Sequence, residues 1–400
     1  MLRTHQNRRF SLIVALILLI GIQKRCPADD ASVKSAKPDF SRVAEILERA
    51  IGQHAFPGCA VAIGNHERVL WTHGFGKLDY ADGPKPMPET LYDLASITKI
   101  IGTTSVMLTL VRDGKLAVTD PVSKYLPEFL TEAKDQTDRD RKAKVTIEHL
   151  MTHSSGLPAE GQSEGKPLWK SANTYHGLIK LALTTPMDVA PGERTEYSDL
   201  GMILLGEAAG RAGGKPLAEL EKERVFKPLG LHETMRNPPA SLLDRIAPTE
   251  QKADGTGFWR GVVHDENARA AEGLTAHAGI FSTADDMARW CTEWLKAVHG
   301  DSAVFPKDLA QQFTRRREIV KGSTRALGWD TPPGSQAGKK LSPHSFGHTG
   351  FTGTSVYIDP DADLYIVLLT NAVHPKRGGR GVLQVRRDVE DAAIEAVKAP

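Results

Sequence analysis

Strand-type and helix-type runs are distributed unevenly along this chain, and that distribution constrains its fold more than any other feature. Gly58 to Gly64 and Arg68 to Gly76 are short, largely apolar runs joined by the turn Asn65-His66-Glu67, which reads as a hairpin. Strand-type runs return near the C-terminus, at Ala326 to Trp329, Ser345 to His348, Thr354 to Asp359 and Leu364 to Leu369. From about residue 120 to 285 the chain alternates helical patterns with long loops. One antiparallel sheet assembled from both ends, flanked by helices and interrupted by a mainly helical subdomain, is the architecture this order predicts. The expected class is α+β, in a domain spanning residues 40–400, with the sheet part at 40–119 and 286–400 and the helical part at 120–285.

Helical spacing supplies the flanking layers. Val43, Ile46, Leu47, Ala50 and Ile51 fall on one face, with Ser41 as cap and Gly52 as stop. A helix starts at Ser96 and runs through Ile100, Ile101, Met107, Leu108 and Val111 to Asp113-Gly114. Further helices are expected at Ser198 to Gly210, Thr283 to Val298 and Val389 to Val397, whereas Leu78 to Thr90 carries three prolines and reads as a loop. There is no internal repeat.

Charge separates the chain into two parts. Lys and Arg number 51 against 49 Asp and Glu, yet five of the basic residues and none of the acids fall within the first 26 positions. The rest carries 46 against 49, a mildly acidic body without the basic face that nucleic-acid binding requires. Behind the basic start, Phe10 to Ile22 has Ser11 as its sole polar side chain, the pattern of a secretory leader over residues 1–28 with cleavage after Ala28. Uncleaved, the same segment would be an N-terminal anchor and the one expected contact with a membrane. Both readings place the body outside the cytoplasm. Cys26 lacks the small and aliphatic residues that precede a lipoprotein cysteine, and Cys59 and Cys291 read as buried small hydrophobes.

The candidate chemistry begins at Ser96-Ile97-Thr98-Lys99, where one helical turn puts a hydroxyl and an amine on the same face. A second tetrad, Ser163 to Lys166, lies in a Gly-rich loop before Pro167, where no helix would align the pair. Downstream, Pro191-Gly192-Glu193 leads to Tyr197-Ser198-Asp199 at a helix start, and Gly347-His348-Thr349-Gly350 lies on a strand. With these motifs in this order the chain resembles the serine β-lactamase and penicillin-binding-protein superfamily, most closely its class C, esterase and DD-peptidase-like branch. The flanks Leu150 to Leu157, Pro228 to Leu231, Ala276 to Thr283 and Phe351 to Thr354 resemble it too, over residues 40 to 375.

The resemblance implies a β-lactamase/transpeptidase-like fold and an acyl-enzyme route. Ser96 would attack a carbonyl, Lys99 and Tyr197 would share the proton transfers, and the backbone N–H groups of Ser96 and Phe351 would hold the oxyanion. Asp199, His348, Thr349, Gly350 and Phe351 would meet the substrate, a small molecule, a peptide or a cell-wall fragment. No metal and no cofactor is expected: His-Glu-x-x-His is absent, and His264 and His277 stand isolated in the sequence.

Two positions depart from the family pattern. Asp199 stands where an Asn is usual, so an amide that donates and accepts becomes a carboxylate that only accepts. Its pairing with Lys99 would keep that amine protonated and move the base role to Tyr197. Ser171-Ala172-Asn173 is a fallback second motif without the Pro-Gly lead. His348 replaces a Lys that would hold a substrate carboxylate, and a neutral imidazole weakens such recognition. The expected function is an exported serine hydrolase cleaving an ester, an amide or a D-amino-acid peptide bond, like an esterase or DD-carboxypeptidase, with weak β-lactamase activity at most. A penicillin or cell-wall-fragment sensor that acylates and stalls is the second reading. An α/β-hydrolase would need a Gly-x-Ser-x-Gly elbow at a strand-to-helix turn, and Gly161-Gln162-Ser163-Glu164-Gly165, which matches the letters, lies in the Gly-rich loop before Pro167.

Overall fold

The computed structural model describes residues 38–160, 162–163, 166–167, 170, 172, 174–333, 336–378 and 381–398. The leader and its Cys26 lie outside the described residues, as do Ser171 and Asn173 of the fallback motif. Among the described residues no helix is long and apolar enough to cross a membrane.

The main sheet has five strands, β1 (Gly58–Gly64), β2 (Val69–Gly76), β3 (Phe346–Thr349), β4 (Ser355–Asp359) and β5 (Leu364–Thr370). Their spatial order is β2-β1-β5-β4-β3, antiparallel throughout, so the N-terminal hairpin joins the C-terminal meander where Cys59 faces Thr370 and Gly64 faces Tyr365. β1 and β5 are buried on both faces. Side chains alternate across such a strand. Val61, Ile63, Ile366 and Leu368 therefore pack against Val43, Leu47, Val389 and Ile394 of α1 (Ser41–Gly52) and the C-terminal helix Val382–Lys398. Ala60, Ala62, Val367 and Leu369 face the opposite, larger core, which includes the helix Ala284–His299.

That second core carries the structural link to the site. Trp290 and Trp294 of the Ala284–His299 helix meet Trp329 and Phe346, with Trp294 to Trp329 at 4.9 Å and Trp329 to Phe346 at 4.8 Å between ring centroids. Trp290 Nε1 donates to Ser105 Oγ at 3.1 Å. Aromatic packing thereby ties the sheet to the helix that follows Lys99. Removing one of these rings would cost about 3–5 kcal/mol, the range for a buried aromatic replaced by Ala.

Several expectations need correction. The helix expected from Ser96 is broken into a 3₁₀ turn at Ala95–Ile97, a wider π-type stretch at Lys99–Thr104 and regular α-helix at Ser105–Arg112. Ala326 to Trp329 is no strand but a tight turn closed by Ala326 N–H to Trp329 O at 3.0 Å, with Gly328 at φ +85°. Its apolar run reflects burial of Ala326, Leu327 and Trp329, which periodicity alone cannot distinguish from a strand. Ser41 is the first helical residue rather than the cap, its N–H taken by Asp39 Oδ1 at 2.9 Å. The C-terminal helix starts at Val382, seven residues before the expected Val389. A second, three-stranded sheet of Tyr92–Asp93, Ile280–Ser282 and Met235–Arg236 lies in segments that carry no strand expectation. The loop expected at 163–166 is bounded by the short strand pair Gln162–Ser163 and Lys166–Pro167. Cys59 and Cys291 are both buried free thiols.

Candidate active site

The small sheet sets the position of Ser96. Tyr92 and Asp93 pair with Ser282 and Phe281, Leu94 N–H donates to Ile280 O at 3.0 Å, and Ile280 N–H returns to Thr98 Oγ1 at 3.1 Å. Between these anchors Ala95 takes φ +47°, an unusual conformation for a residue with a Cβ, held by its N–H on Asp93 Oδ1 at 2.9 Å. The sharp turn presents Ser96 to a cavity of about 480 Å³, also lined by Tyr197, Arg325, His348, Thr349 and Phe351.

Lys99 lies fully buried beneath it. Its Nζ is 3.0 Å from Ser96 Oγ, 3.1 Å from the His277 carbonyl and 2.8 Å from Asp199 Oδ1. The first two contacts are hydrogen bonds and the third is an ion pair. Burial opposes the charge, but the Asp199 carboxylate and the Tyr197 oxygen outweigh it and push Lys99 up to about 12. The Tyr197 ring centroid lies 4.8 Å from Nζ.

Tyr197 is fixed by a loop far upstream. Ser198 caps the helix Asp199–Gly213 through Gly201 N–H, and its own N–H donates to His153 Nδ1 at 3.1 Å. Glu196 N–H meets the His153 carbonyl at 2.8 Å, and Asp199 N–H meets Ala159 O at 3.0 Å. The Tyr197 ring is sandwiched by His153, at 4.5 Å, and His348, at 5.9 Å, while the Arg325 guanidinium lies 5.3 Å from its centre. Burial, reinforced by Arg325 and Lys99, drops both imidazoles well below their ordinary range, so both are neutral at pH 7. His348 Nδ1 donates to Thr349 O at 2.7 Å.

The end of β3 completes the wall. A side chain at Gly350 would press on Thr354 Oγ1 and come within 2.5 Å of the Leu94 carbonyl, so the close approach of this strand to the Ser96 turn requires glycine. Arg386 reaches over from the C-terminal helix and donates to the Gly350 carbonyl at 2.6 Å and the Gly353 carbonyl at 3.3 Å. Burial lowers Arg386 to about 10, which leaves it charged at neutral pH. Among the described residues, the N–H groups of Ser96 and Phe351 have no acceptor. Thr349 Oγ1 donates to Gln336 Oε1 at 2.9 Å, and the exposed Phe351 ring stacks on His264 at 5.7 Å.

The Beta-lactamase family matches residues 43–390. This chain belongs to that family. It is 32% identical over 365 residues to an N-acetylmuramyl-L-alanine amidase of Bacillus subtilis (strain 168), covering 83% of this chain and 81% of that one. It is 30% identical over 359 residues to an Escherichia coli (strain K12) protein named provisionally as a D-alanyl-D-alanine carboxypeptidase, covering 82% of each. A penicillin-binding protein homologue from Caulobacter crescentus shares the fold, with a TM-score of 0.70 at 21% identity over 89% of this chain and 97% of that one.

All eight residues singled out in the sequence, from Ser96 to Phe351, gather around one cavity and the buried amine below it. His264 and His277 are not isolated. His264 Nε2 lies 3.2 Å from Glu250 Oε2, and His277 Nε2 lies 2.9 Å from Asp265 Oδ1. Asp199, Asp265 and His277 bring one ligand atom each within 4.8 Å of one another beside this cavity, with the Lys99 ammonium already seated on Asp199. His153, Arg325 and Arg386 carry no motif of their own, although His153 lies inside the family-like flank Leu150 to Leu157.

Proposed function

We propose that this chain is an exported serine hydrolase that forms an acyl-enzyme at Ser96 and cleaves an amide or D-amino-acid peptide bond beside a carboxylate. The observation that carries the reading is the Lys99 ammonium 3.0 Å from Ser96 Oγ on the floor of the cavity. Lys99 has its charge held by Asp199, so the proton of Ser96 passes to Tyr197 reacting as its phenolate, the phenol proton having left to solvent before the acyl group is attacked. The ammonium then stabilises negative charge as it develops on the two oxygens. The tetrahedral oxyanion is held by the Ser96 and Phe351 N–H groups. Tyr197 returns the proton to the leaving amine, and water reverses the route to release the acyl group.

Arg325 refines the substrate class. His348 is neutral, which by itself argues for an esterase of loose specificity. Arg325 lines the same cavity and has no carboxylate partner among the described residues, so it supplies the permanent cation that the imidazole does not. Substrates ending in a carboxylate near the scissile bond gain from it, whereas simple esters do not. Two relatives named for muramyl-alanine and D-alanyl-D-alanine bonds support amides over esters. Cell-wall peptides outside the cytoplasm are the substrates within reach of an exported chain.

The Lys99–Asp199 pair favours one second reading, a sensor that acylates and turns over slowly, because a charged Lys99 is a poor base for deacylation. Fluorophosphonate labelling with mapping of the modified serine, followed by kinetics on D-alanyl-D-alanine peptides and p-nitrophenyl esters, tests both. Turnover abolished by Ser96→Ala supports the hydrolase. Stoichiometric labelling of Ser96 without turnover selects the sensor, and labelling at another serine overturns both.

A further inference from the structure

We infer that His66, His299 and Asp363, at the far end of the main sheet, form a binding site for one divalent transition-metal ion, with zinc the best match. The three residues come from segments widely separated in sequence. His66 occupies the turn between β1 and β2, Asp363 the turn between β4 and β5, and His299 the last position of the helix Ala284–His299. One ligand atom from each lies within 4.8 Å of the others. Two imidazoles and one carboxylate are the donor set that zinc accepts, with a fourth position left to water or another side chain.

The local geometry is built rather than incidental. Asp363 takes φ +47° and grips His66 twice, accepting from its backbone N–H at 3.2 Å and approaching Nδ1 at 2.7 Å. The rings of His66 and His299 meet edge to face with centroids 5.6 Å apart. His66 Nε2 also lies 3.9 Å from Glu67 Oε1, which places a second carboxylate in reach. His299 ends a sixteen-residue helix, whose C-terminus carries partial negative charge and favours a cation. Lys307 is the opposing feature, its ammonium 2.9 Å from the His299 carbonyl. Zinc–ligand bonds of about 2.0–2.1 Å require the three donors to close in. His299 is half-buried with Nε2 3.3 Å from the Pro360 carbonyl, which leaves its Nδ1 to turn toward the ion. None of the three residues lines the cavity at Ser96, so a bound ion would cross-link two sheet turns and a helix end without entering the proposed reaction.

The experiment uses the tag-free full chain, stripped with chelator and titrated with zinc chloride against a competing chelator. One ion per chain, a raised melting temperature in its presence, and visible d–d bands on cobalt substitution are expected. The double variant His66→Ala with His299→Ala weakens zinc binding by at least about tenfold, as loss of ligands must, and loses the thermal shift. Asp363→Asn also weakens it. Asp265→Asn, at the other carboxylate–imidazole cluster, leaves it unchanged. Circular dichroism without metal establishes that each variant is folded. No saturable binding, or binding that survives the double variant, overturns the assignment, as does binding lost in Asp265→Asn.

Discussion

At Lys99, burial and a carboxylate pull in opposite directions, and the carboxylate wins. Because Asp199 supplies that pull, Asp199→Asn should let burial prevail and lower the Lys99 value from about 12. The descending limb of kcat/KM against pH for an activated ester is then expected to move to lower pH, with slower acylation on the alkaline side, because the ammonium that stabilises the developing charge is lost sooner. An unmoved limb would mean that the charge on Lys99 does not limit the reaction. Arg325→Ala tests the substrate class separately. A lost charge-assisted bond of about 1.5–3 kcal/mol corresponds to about a 10–160-fold rise in KM for a carboxylate-terminated peptide. A neutral ester should stay within about twofold, since it makes no such bond. Equal losses on both substrates would show that Arg325 only supports the Tyr197 ring.

Among the elements, the join between β3 and the Ser96 turn is the least tolerant. Gly350→Ala should force the strand end away from Leu94, separating the Phe351 N–H from Ser96. Loss of one oxyanion donor costs about 100–1,000-fold in kcat. The melting temperature should fall as well, and a variant with unchanged kcat would place the second donor elsewhere. Periodicity made α1 and the Ala284–His299 helix legible, because each has one face committed to a core. It failed at Ala326 to Trp329, where burial on all sides erases any period, and at the two- and three-residue strands of the small sheet, which are too short to show one.

Over the whole molecule, buried charge on the C-terminal helix gives stability a pH dependence. Glu390 is buried, accepts from Gly338 N–H at 2.6 Å and has Arg386 nearby, yet burial dominates and pushes it up to about 8. Its folded value lies above its ordinary 4.5, so this contribution is fully present below about 4.5 and is lost as pH rises through about 8. Urea unfolding should show lower stability at about pH 8.5 than at about pH 5. Glu390→Gln should remove most of that slope and gain stability at the alkaline end, and an unchanged slope would assign it to other groups.

The order of strands and helices, the one-turn spacing of Ser96 and Lys99 and the motif at Tyr197 were determined by the sequence itself, because each is a local pattern within one or two turns of chain. The tertiary structure decided what surrounds them. His153 beside Tyr197, the His277 carbonyl on Lys99, Arg325 in the cavity and Arg386 across Gly350 come from separate elements, and no local pattern records which distant segments packing will bring within hydrogen-bonding distance. Reading His348 alone predicted weak carboxylate recognition. The cation that the proposed function assigns to that task is Arg325, beside a turn that packing brings to the same cavity.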